Sequence, residues 1–592
     1  MRIADAIVTA LRELDTRYVF GVSGANVEHL HDSIERLGQG RLSAVLTKRE
    51  DGAAFMADAR ARIHRTLGVC CSTSGGGMMN LVPGLAESHA ESVPVLAVVG
   101  QTPTTLDGRG SFQDSSGIGR TIDALSLLRS VTKKTVRITG PEGFWEIFRD
   151  AMETALSGRK GPVALLIPRN CYDLEVGAPP ADWPKSLDEL TRTEPVDDTA
   201  VRQLFRRLRD ATAPVLLLGH GVRRSTDPDA VRRFALRAKI PVVTTMGARG
   251  EFPNEDPLYL GVVGAGGHPS AATYIEKSDL VVPVGTGLAM MTRGPVSGLA
   301  PDRVVAVNID PGELQRAELA DTVVQGDAGV VFERLLDLLD QEPFTLPAAA
   351  DYELRRFVPR LAEPVPGRQL PSRTGLLQSE AVRILQDHLP SDGHVLYDAG
   401  NCAVASMHYS FVPPGSSSTI ALGMGGMGYS IGAAIGAQLG TPEGTRTVVM
   451  CGDGAFLMSG LEVHTAVELG LPILYVVFNN GMHGMCATRQ QTFFDSRITA
   501  VQYTPVDARS VASGLGTPDR LWIGSAETPA ELAEQLDQYG RRSHLPGVLE
   551  LRIDTEEVPP FAGFLPADEP TTVVPTPWRF KAPLDCGAVT SV

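Results

Sequence analysis

Short apolar segments rich in β-branched residues alternate along the chain with longer stretches whose apolar residues recur at helical spacing. Three of the apolar segments cover residues 95–99, 281–284 and 474–478. Such alternation is typical of parallel sheets whose two faces are covered by helices. The pattern therefore predicts an α/β fold, in which ligands bind at the carboxyl ends of the strands.

Two proline-rich stretches divide this pattern into three blocks. The predicted domains cover residues 1–175, 195–345 and 370–556, and each should hold one mainly parallel sheet flanked by helices. Residues 557–592 form a Pro-rich tail without clear periodicity, which we expect to be an extended segment. A chain of 592 residues is too long for a single hydrophobic core, so several domains are expected from length alone.

The composition argues against several classes of function. The formal net charge is −15, whereas proteins that bind nucleic acid need a basic face. No apolar run reaches the roughly 18 residues that span a membrane, and the N-terminal segment mixes acids and bases, unlike a signal peptide. The seven scattered cysteines have no metal-type spacing and indicate free thiols. We therefore expect a cytoplasmic protein that contacts neither nucleic acid nor membrane.

Polar residues follow two predicted strands of the third block. Gly452-Asp453-Gly454 comes after one apolar strand, and Asn480 comes after the next. Oxygen atoms of Asp453 and Asn480 can therefore converge on one hard cation, and Mg²⁺ prefers a site with few carboxylates and with phosphate, carbonyl or water ligands. Gly452 and Gly454 let backbone N–H groups approach a diphosphate at a helix start. The sequence predicts a site for Mg²⁺ and a diphosphate here.

Several further segments occur with this motif in a characteristic order. The first block contains KREDGAAFMADARAR, STSGGGMMNLVPG and GRGSFQDSSG, and the third contains DAGNCAVAS and LGMGGMGYS. In this order the segments resemble the acetohydroxyacid synthase (acetolactate synthase)-like family of thiamine diphosphate (ThDP) enzymes. The resemblance implies the three-domain ThDP-enzyme fold, with a pyrimidine-binding, a central and a diphosphate-binding domain. It also implies ThDP and Mg²⁺ as cofactors.

The resemblance assigns a role to individual residues. Glu50 matches the catalytic glutamate that hydrogen-bonds the aminopyrimidine ring of ThDP. Met427 matches the bulky residue that keeps the cofactor bent, and Gly425 the residue whose carbonyl accepts from the 4′-amino group. Met482 matches the residue whose backbone carbonyl completes the metal shell around Asp453 and Asn480. The remaining expected cofactor contacts are Asn80, Gln113, Asn401, Cys402, Gly452, Gly454 and Ala455.

The substrate pocket is expected near His29, Phe112, Met485 and Arg489. Arg489 stands where biosynthetic acetolactate synthases generally carry a tryptophan that selects the second 2-oxo acid. Its guanidinium either pairs with an acidic acceptor substrate or points to solvent, and the sequence leaves both interpretations open.

The implied activity is decarboxylation of a 2-oxo acid and transfer of its acyl carbanion to a second carbonyl compound. Three alternatives remain: a simple decarboxylase, a flavin-dependent oxidase on the same scaffold, and a non-catalytic regulatory homologue. The central block resembles both flavin-binding domains and domains that bind no nucleotide, so FAD is a candidate cofactor only. In this family Glu50 and Asp453 meet across a subunit interface, which implies a homodimer or a homotetramer.

Overall fold

Three six-stranded sheets form the framework of the protein in the computed structural model, and their paired strands run parallel. The structure describes residues 1–294, 296, 299–316, 318–346, 375–555, 557, 560 and 561. The predicted α/β class with three mainly parallel sheets is confirmed. The linker before the third block, from residue 347, and residues 562–592 of the predicted tail lie outside the described residues.

The first sheet has the strand order β2-β1-β3-β4-β6-β5. Its strands are β1 (Tyr18–Gly21), β2 (Ser43–Leu46), β3 (Gly68–Ser72), β4 (Val95–Gln101), β5 (Lys134–Arg137) and β6 (Val163–Pro168). The helices of this block are α1 (Ile3–Glu13), α2 (Glu28–Leu37), α3 (Glu50–His64), α4 (Gly76–Ala90), α5 (Ala124–Arg129) and α6 (Phe144–Leu156). Strand order reverses between β1 and β3, and such a switch point leaves a crevice beyond the carboxyl ends of the two strands.

The second sheet has the order β12-β11-β10-β7-β8-β9. Its strands are β7 (Pro214–Leu218), β8 (Val242–Thr245), β9 (Tyr259–Val263), β10 (Leu280–Val284), β11 (Val305–Asn308) and β12 (Thr322–Gln325). Its helices are α7 (Asp198–Asp210), α8 (Pro228–Ala238), α9 (Pro269–Lys277), α10 (Met290–Arg293), α11 (Gly312–Arg316) and α12 (Ala328–Gln341). Counted within the block, this is the order of dinucleotide-binding Rossmann domains, whose ligand crevice lies between the first and fourth strands.

The third sheet has the order β14-β13-β15-β16-β18-β17, the same arrangement as the first. Its strands are β13 (His394–Tyr397), β14 (Ser417–Ile420), β15 (Thr447–Gly452), β16 (Ile473–Asn479), β17 (Trp522–Ala526) and β18 (Gly547–Arg552). Its helices are α13 (Gln378–Gln386), α14 (Asn401–Tyr409), α15 (Tyr429–Gln438), α16 (Asp453–Ser459), α17 (Val463–Leu469), α18 (Gly484–Phe493), α19 (Ala508–Ser513) and α20 (Pro529–Gly540). The switch point lies between β13 and β15.

Helices α3 and α15 join the first sheet to the third through one shared hydrophobic core. Their backbones approach closely because glycines face them: a Cβ at Gly436 would lie 2.0 Å from the Met56 carbonyl oxygen. Eleven of the fifteen residues of α3 are buried, so this helix is covered on nearly all sides. The contact fixes the position of Glu50, the first residue of α3, relative to the third sheet.

The three sheets fall within the three predicted blocks, and the block boundaries at residues 175, 195, 345 and 370 remain predictions. No helix in the described ranges combines the length and the apolar character needed to cross a membrane.

Candidate active site

Asp453 lies at the switch point of the third sheet. β15 ends at Gly452, and Asp453 is the first residue of α16, so its carboxylate lies at the positive end of that helix. The side chain is buried, and one oxygen, Oδ2, accepts from the Gly481 N–H at 2.9 Å. Burial raises the pKa of Asp453, and the neighbouring Tyr503 hydroxyl and backbone N–H donors oppose that shift. No ion pair to a cationic side chain forms among the described residues, so the carboxylate is available to a cation.

Asn480 and Met482 follow the neighbouring strand. β15 and β16 pair in register with Gly452 opposite Phe478, so residues that follow each strand lie side by side. Gly481 has a left-handed φ of 68°, which turns the chain back so that the Met482 N–H donates to Asn480 Oδ1 at 3.2 Å. Because the Gly481 N–H donates a hydrogen bond to Asp453, the turn brings the adjacent residue Asn480 close to Asp453.

Two glycines in this region have different effects on the space around them. A Cβ at Gly454 would lie 2.8 Å from His483 Nδ1 and 3.0 Å from Met427 Cε. A Cβ at Gly452 would have only the Cys402 sulfur within 4 Å, at 3.9 Å. Gly452 thus borders open space, which a diphosphate needs, whereas Gly454 lets Met427 and His483 approach each other.

Asn401, Cys402 and Ala455 line the same region. Asn401 is the first residue of α14 and donates to the Thr488 hydroxyl at 3.2 Å, while its Oδ1 is buried without a partner in the described structure. Burial raises the pKa of the Cys402 thiol, so this side chain stays protonated. Ala455 is completely buried within α16 and can contribute only its backbone.

Glu50 belongs to a second group, at the first sheet. It is 9% exposed, and Oε2 accepts from the Asn80 side-chain amide at 2.9 Å. A Cβ at Gly77 would lie 2.9 Å from Glu50 Oε1, so the glycine-rich start of α4 leaves room for this carboxyl group. Gln113 has a left-handed φ of 63° and packs against Gly75, at the start of the same helix.

The two groups remain apart within one chain. No hydrogen bond or ion pair in the described ranges joins Glu50 to Asp453, Asn480 or Met427. The third block instead reaches α3 through Glu462, whose Oε1 accepts from the Lys48 and Arg49 N–H groups at 2.8 and 3.0 Å. The structure therefore brings the expected residues together in two separate groups, which we call half-sites, one around Glu50 and one around Asp453.

The four expected substrate-pocket residues lie in different surroundings. His29 Nε2 contacts Asp173 at 3.2 Å, and its ring stacks on Tyr172. Phe112 is 86% exposed. Met485 and Arg489 lie four residues apart on α18, which begins beside Asn480, and Arg489 is exposed without an ion pair among the described side chains.

Sequence reasoning gave no role to three carboxylates that shape these half-sites. Glu462 holds the backbone before Glu50, and Asp398 and Glu87 accept hydrogen bonds from the segment that carries Met427. Asp398 carries a readable signal, because it directly follows a strand at a switch point. The backbone donors to Glu462 and Glu87 include groups 414 and 337 positions away, which leave no local pattern.

A separate cavity of about 850 Å³ lies at the switch point of the second sheet. Its walls include backbone of Gly221 and Gly285, which follow β7 and β10. Asp310, after β11, contacts Arg159 at 3.8 Å across the wall. Asp327 is committed elsewhere, because its carboxylate caps α12 and accepts from Thr226.

No group of three or more His, Cys, Asp or Glu side chains that could hold a metal occurs among the described residues. A metal at Asp453 would therefore need amide, carbonyl and phosphate oxygens as its other ligands, a donor set that suits Mg²⁺.

Family models of thiamine pyrophosphate (TPP, a synonym of ThDP) enzymes match the chain in three places. The N-terminal TPP binding domain matches residues 1–119, the central domain matches residues 201–335, and the C-terminal TPP binding domain matches residues 398–550. The C-terminal match begins at Asp398 and includes the whole Asp453 half-site, and the N-terminal match includes Glu50, Asn80 and Gln113.

Curated relatives align over nearly the whole chain. The probable acetolactate synthase large subunit of Methanocaldococcus jannaschii is 30% identical over 95% of this chain and 93% of its own length. The acetolactate synthase large subunit of Corynebacterium glutamicum is 31% identical over 87% of this chain and 81% of its own length. Acetolactate synthase isozyme 2 large subunit of Escherichia coli K12 is 29% identical over 95% of this chain and 98% of its own length.

Proposed function

Because this chain belongs to the family of thiamine pyrophosphate enzymes that includes the acetolactate synthase large subunits, we propose that it is an acetolactate synthase-like carboligase. It would decarboxylate a pyruvate-like 2-oxo acid and join the acyl group to a second carbonyl compound. The observation that carries this proposal is the pairing of Asp453 and Asn480 at adjacent strand ends, beside open glycine backbone at a helix start.

The Asp453 half-site fits a divalent cation and a diphosphate. Asp453, Asn480 and the Met482 carbonyl would hold Mg²⁺, and the buried Asp453 carboxylate, which forms no ion pair with any described side chain, supports this assignment. Backbone N–H groups near Gly452, Gly454 and Ala455 would bind the diphosphate, as would the Asn401 and Cys402 end of α14. The partnerless Asn401 Oδ1 supports a ligand at this position, with a water or a hydroxyl group as donor.

When bound, ThDP supplies the carbon nucleophile and the electron sink that decarboxylation of a 2-oxo acid requires. Glu50 would share a proton with N1′ of the aminopyrimidine, and Asn80 holds its carboxyl group in place. Met427 and the Gly425 carbonyl would fix the orientation of the ring. Gln113, at the start of α4, would close the same side of the pocket.

Met485 and Arg489 are our strongest candidates for substrate contacts. Both lie on α18, whose first residue packs against Asn480 and Asn401. The guanidinium of Arg489 would bind the carboxylate of an acidic substrate. His29 and Phe112 stay candidates only for an assembly in which another chain covers them.

A donor–acceptor panel tests the function. Purified protein with ThDP and Mg²⁺ is incubated with pyruvate and other 2-oxo acids, alone and with aldehydes, and products are identified by mass spectrometry. We expect CO₂ and a ligated 2-hydroxy ketone or acid. Aldehyde alone would identify a simple decarboxylase, peroxide would identify an oxidase, and no CO₂ from any donor would refute catalysis.

We also propose a nucleotide, with FAD as the first candidate, for the cavity of the central domain. The strand order, the cavity volume and the glycine backbone of residues 221 and 285 support a dinucleotide diphosphate, and Asp310 could bind a ribose hydroxyl. A flavin absorption band that co-purifies with the protein is the expected result. Protein that is colourless and whose unfolding temperature FAD does not raise would exclude this ligand.

An active unit of at least two copies is the third part of the proposal. Within the described part of the chain no hydrogen bond or ion pair joins Glu50 to Asp453, and exposed apolar residues lie near the Glu462 contact: Leu46, Leu457, Met458 and Leu461. A second copy would cover them, as a homodimer or within a homotetramer. Since relatives are named large subunits, a smaller regulatory chain is a further candidate partner. The six described cysteines, all free thiols, support a cytoplasmic location.

A further inference from the structure

The segment from Gly423 to Gly428 links β14 to α15 and carries the two residues assigned to the cofactor ring, Gly425 and Met427. Its middle has little support of its own. A Cβ at Gly425 or Gly426 would meet nothing within 4 Å, and the Met424 side chain is 62% exposed. The conformation of this segment, which we call the cofactor loop, must therefore be set largely from its two ends.

The first end is held by Glu87 from the first block. Glu87 Oε2 accepts from the Met424 N–H at 2.7 Å, and Oε1 accepts from the Gly423 N–H at 3.3 Å. The carboxylate is 2% exposed, so water does not compete for these donors. The last turn of α4 is thereby fastened to the cofactor loop.

The second end is held by Asp398, which directly follows β13. Its Oδ1 accepts from the Gly428 N–H at 2.9 Å, and its Oδ2 accepts from the Ser430 N–H and hydroxyl at 2.9 and 2.7 Å. Burial raises the pKa of Asp398, and these donors oppose the shift. Two buried carboxylates from different blocks thus clamp the loop.

Arg62 maintains the charge of Glu87. Its guanidinium lies 3.0 Å from Glu87 Oε1, pairs with Asp58 and donates to the Ile420 carbonyl just before the loop. Burial raises the pKa of Glu87, whereas Arg62 and the Met424 N–H lower it. The cation therefore favours the ionised carboxylate, which binds N–H donors more strongly than the neutral acid does.

Helix α4 makes the Glu87 contact to the cofactor loop and also the Asn80 contact to Glu50. Asn80 donates to Glu50 near the start of the helix, and Glu87 lies seven residues later. At 1.5 Å per residue the two contacts are about 10 Å apart along one helix, which includes Pro83 between them. The position of the cofactor loop is therefore tied to the element that positions Glu50.

We propose that Glu87 is a positioning residue for the reaction: its carboxylate holds the Gly423 and Met424 N–H groups so that Gly425 and Met427 are placed for the cofactor before it binds. This inference rests on the proposed function, because the loop has a catalytic meaning only in a ThDP enzyme.

The first test compares Glu87→Gln with Glu91→Gln. Glu91 lies one turn later and 3.7 Å from the same Arg62, but accepts no hydrogen bond from the cofactor loop in the described structure. Without cofactor, amide hydrogen exchange at Gly423 and Met424 should accelerate on the order of ten- to a hundred-fold in Glu87→Gln, the loss expected for a hydrogen bond to a charged group. In Glu91→Gln it should change by less than about threefold, because the Glu91 carboxylate holds no N–H group of the cofactor loop in the described structure and each loop hydrogen bond would be kept.

Cofactor binding gives the second readout. Glu87→Gln should weaken ThDP binding in the presence of Mg²⁺ and slow exchange of the thiazolium C2 proton, each on the order of ten-fold or more. Unchanged amide exchange together with unchanged ThDP affinity in Glu87→Gln would overturn the proposal. Equal losses in Glu91→Gln would also overturn it, because the effect would then reflect general damage to the Arg62 cluster.

Met424→Pro tests the same contact from the loop if Glu87→Gln fails to fold. Proline removes the N–H that donates to Glu87, and Met424 has no left-handed φ that would exclude it. ThDP affinity should fall as in Glu87→Gln, and the double variant should lose little more than either single variant. The inference would be contradicted if the two losses of ThDP affinity add in the double variant, or if Met424→Pro binds ThDP as tightly as the wild type. Failure of the wild-type protein to bind ThDP would refute the proposed function instead, while amide exchange would still decide whether Glu87 holds the loop.

Discussion

Two carboxylates with different surroundings account for the proposed chemistry at the scale of single residues. Glu50 is a helix-start side chain held by the Asn80 amide, and no described cationic side chain forms an ion pair with its carboxylate. Asp453 is buried at a helix start with backbone N–H donors around it. Proton transfer suits the environment of Glu50, and metal binding suits that of Asp453. Substitution of each residue should therefore produce a different defect.

We expect Glu50→Gln to lower the rate of CO₂ release on the order of 10²- to 10⁴-fold, because an amide cannot exchange a proton with the aminopyrimidine. ThDP affinity should fall much less, since glutamine has nearly the same size and shape as glutamate. The adjacent Asp51 is paired with Arg49, and Asp51→Asn serves as the control with near-normal rates. Near-full activity in Glu50→Gln, measured at saturating ThDP, would show that another group carries the proton.

Asp453 should make the stability of the metal-free protein depend on pH. Its pKa is raised in the folded state, so its contribution to stability is fully present below the unfolded pKa near 3.9 and is lost as pH rises through the folded pKa. In EDTA at neutral pH, Asp453→Asn should therefore unfold at a higher temperature than the wild type, with the difference shrinking towards pH 4. A variant that is less stable than the wild type under these conditions would contradict this account.

At the scale of elements, the α3–α15 contact determines how the two half-site domains sit. Gly436→Ala should destabilise the protein by about 1–3 kcal/mol, as overpacking does, because its Cβ would press on the Met56 carbonyl. Gly540→Ala, where a Cβ would meet nothing within 4 Å, is the matched control with little effect. Thermal unfolding of both variants measures the difference. Equal unfolding temperatures would mean that α3 and α15 move apart at little cost to accept the added Cβ.

Much of the element-level picture was readable from local pattern. The strands that precede Asp453 and Asn480 are continuous apolar runs, and parallel strands place their ends together, so this half-site followed from sequence. The Glu87 contact could not be predicted, because Glu87 and Met424 are 337 positions apart and leave no shared local pattern. The same holds for Glu462 and Lys48, which are 414 positions apart. The family resemblance placed His29 near the substrate, and this stays a prediction; the stacking of its ring on Tyr172 could not be read from the sequence.

At the scale of the whole molecule, the proposed function includes association of two copies to complete the site. Leu461 is 62% exposed beside the Glu462 contact, so Leu461→Asp should shift the protein from dimers towards monomers and lower activity on dilution. Leu236→Asp, at a 39% exposed position of the central domain, should leave association unchanged. Sedimentation velocity measures both variants, and a wild-type protein that is monomeric yet fully active would refute a shared site.

The most direct measurement is a calorimetric titration of ThDP into the wild-type protein and Asp453→Asn, with Mg²⁺ and with EDTA. The account predicts saturable binding by the wild type only when Mg²⁺ is present, and a loss of affinity in the variant of at least about ten-fold, as expected when a charged ligand contact is removed. Wild-type protein that takes up no ThDP with Mg²⁺, or a variant that binds it equally well, would contradict the assignment of Asp453 and Asn480 as the centre of the site.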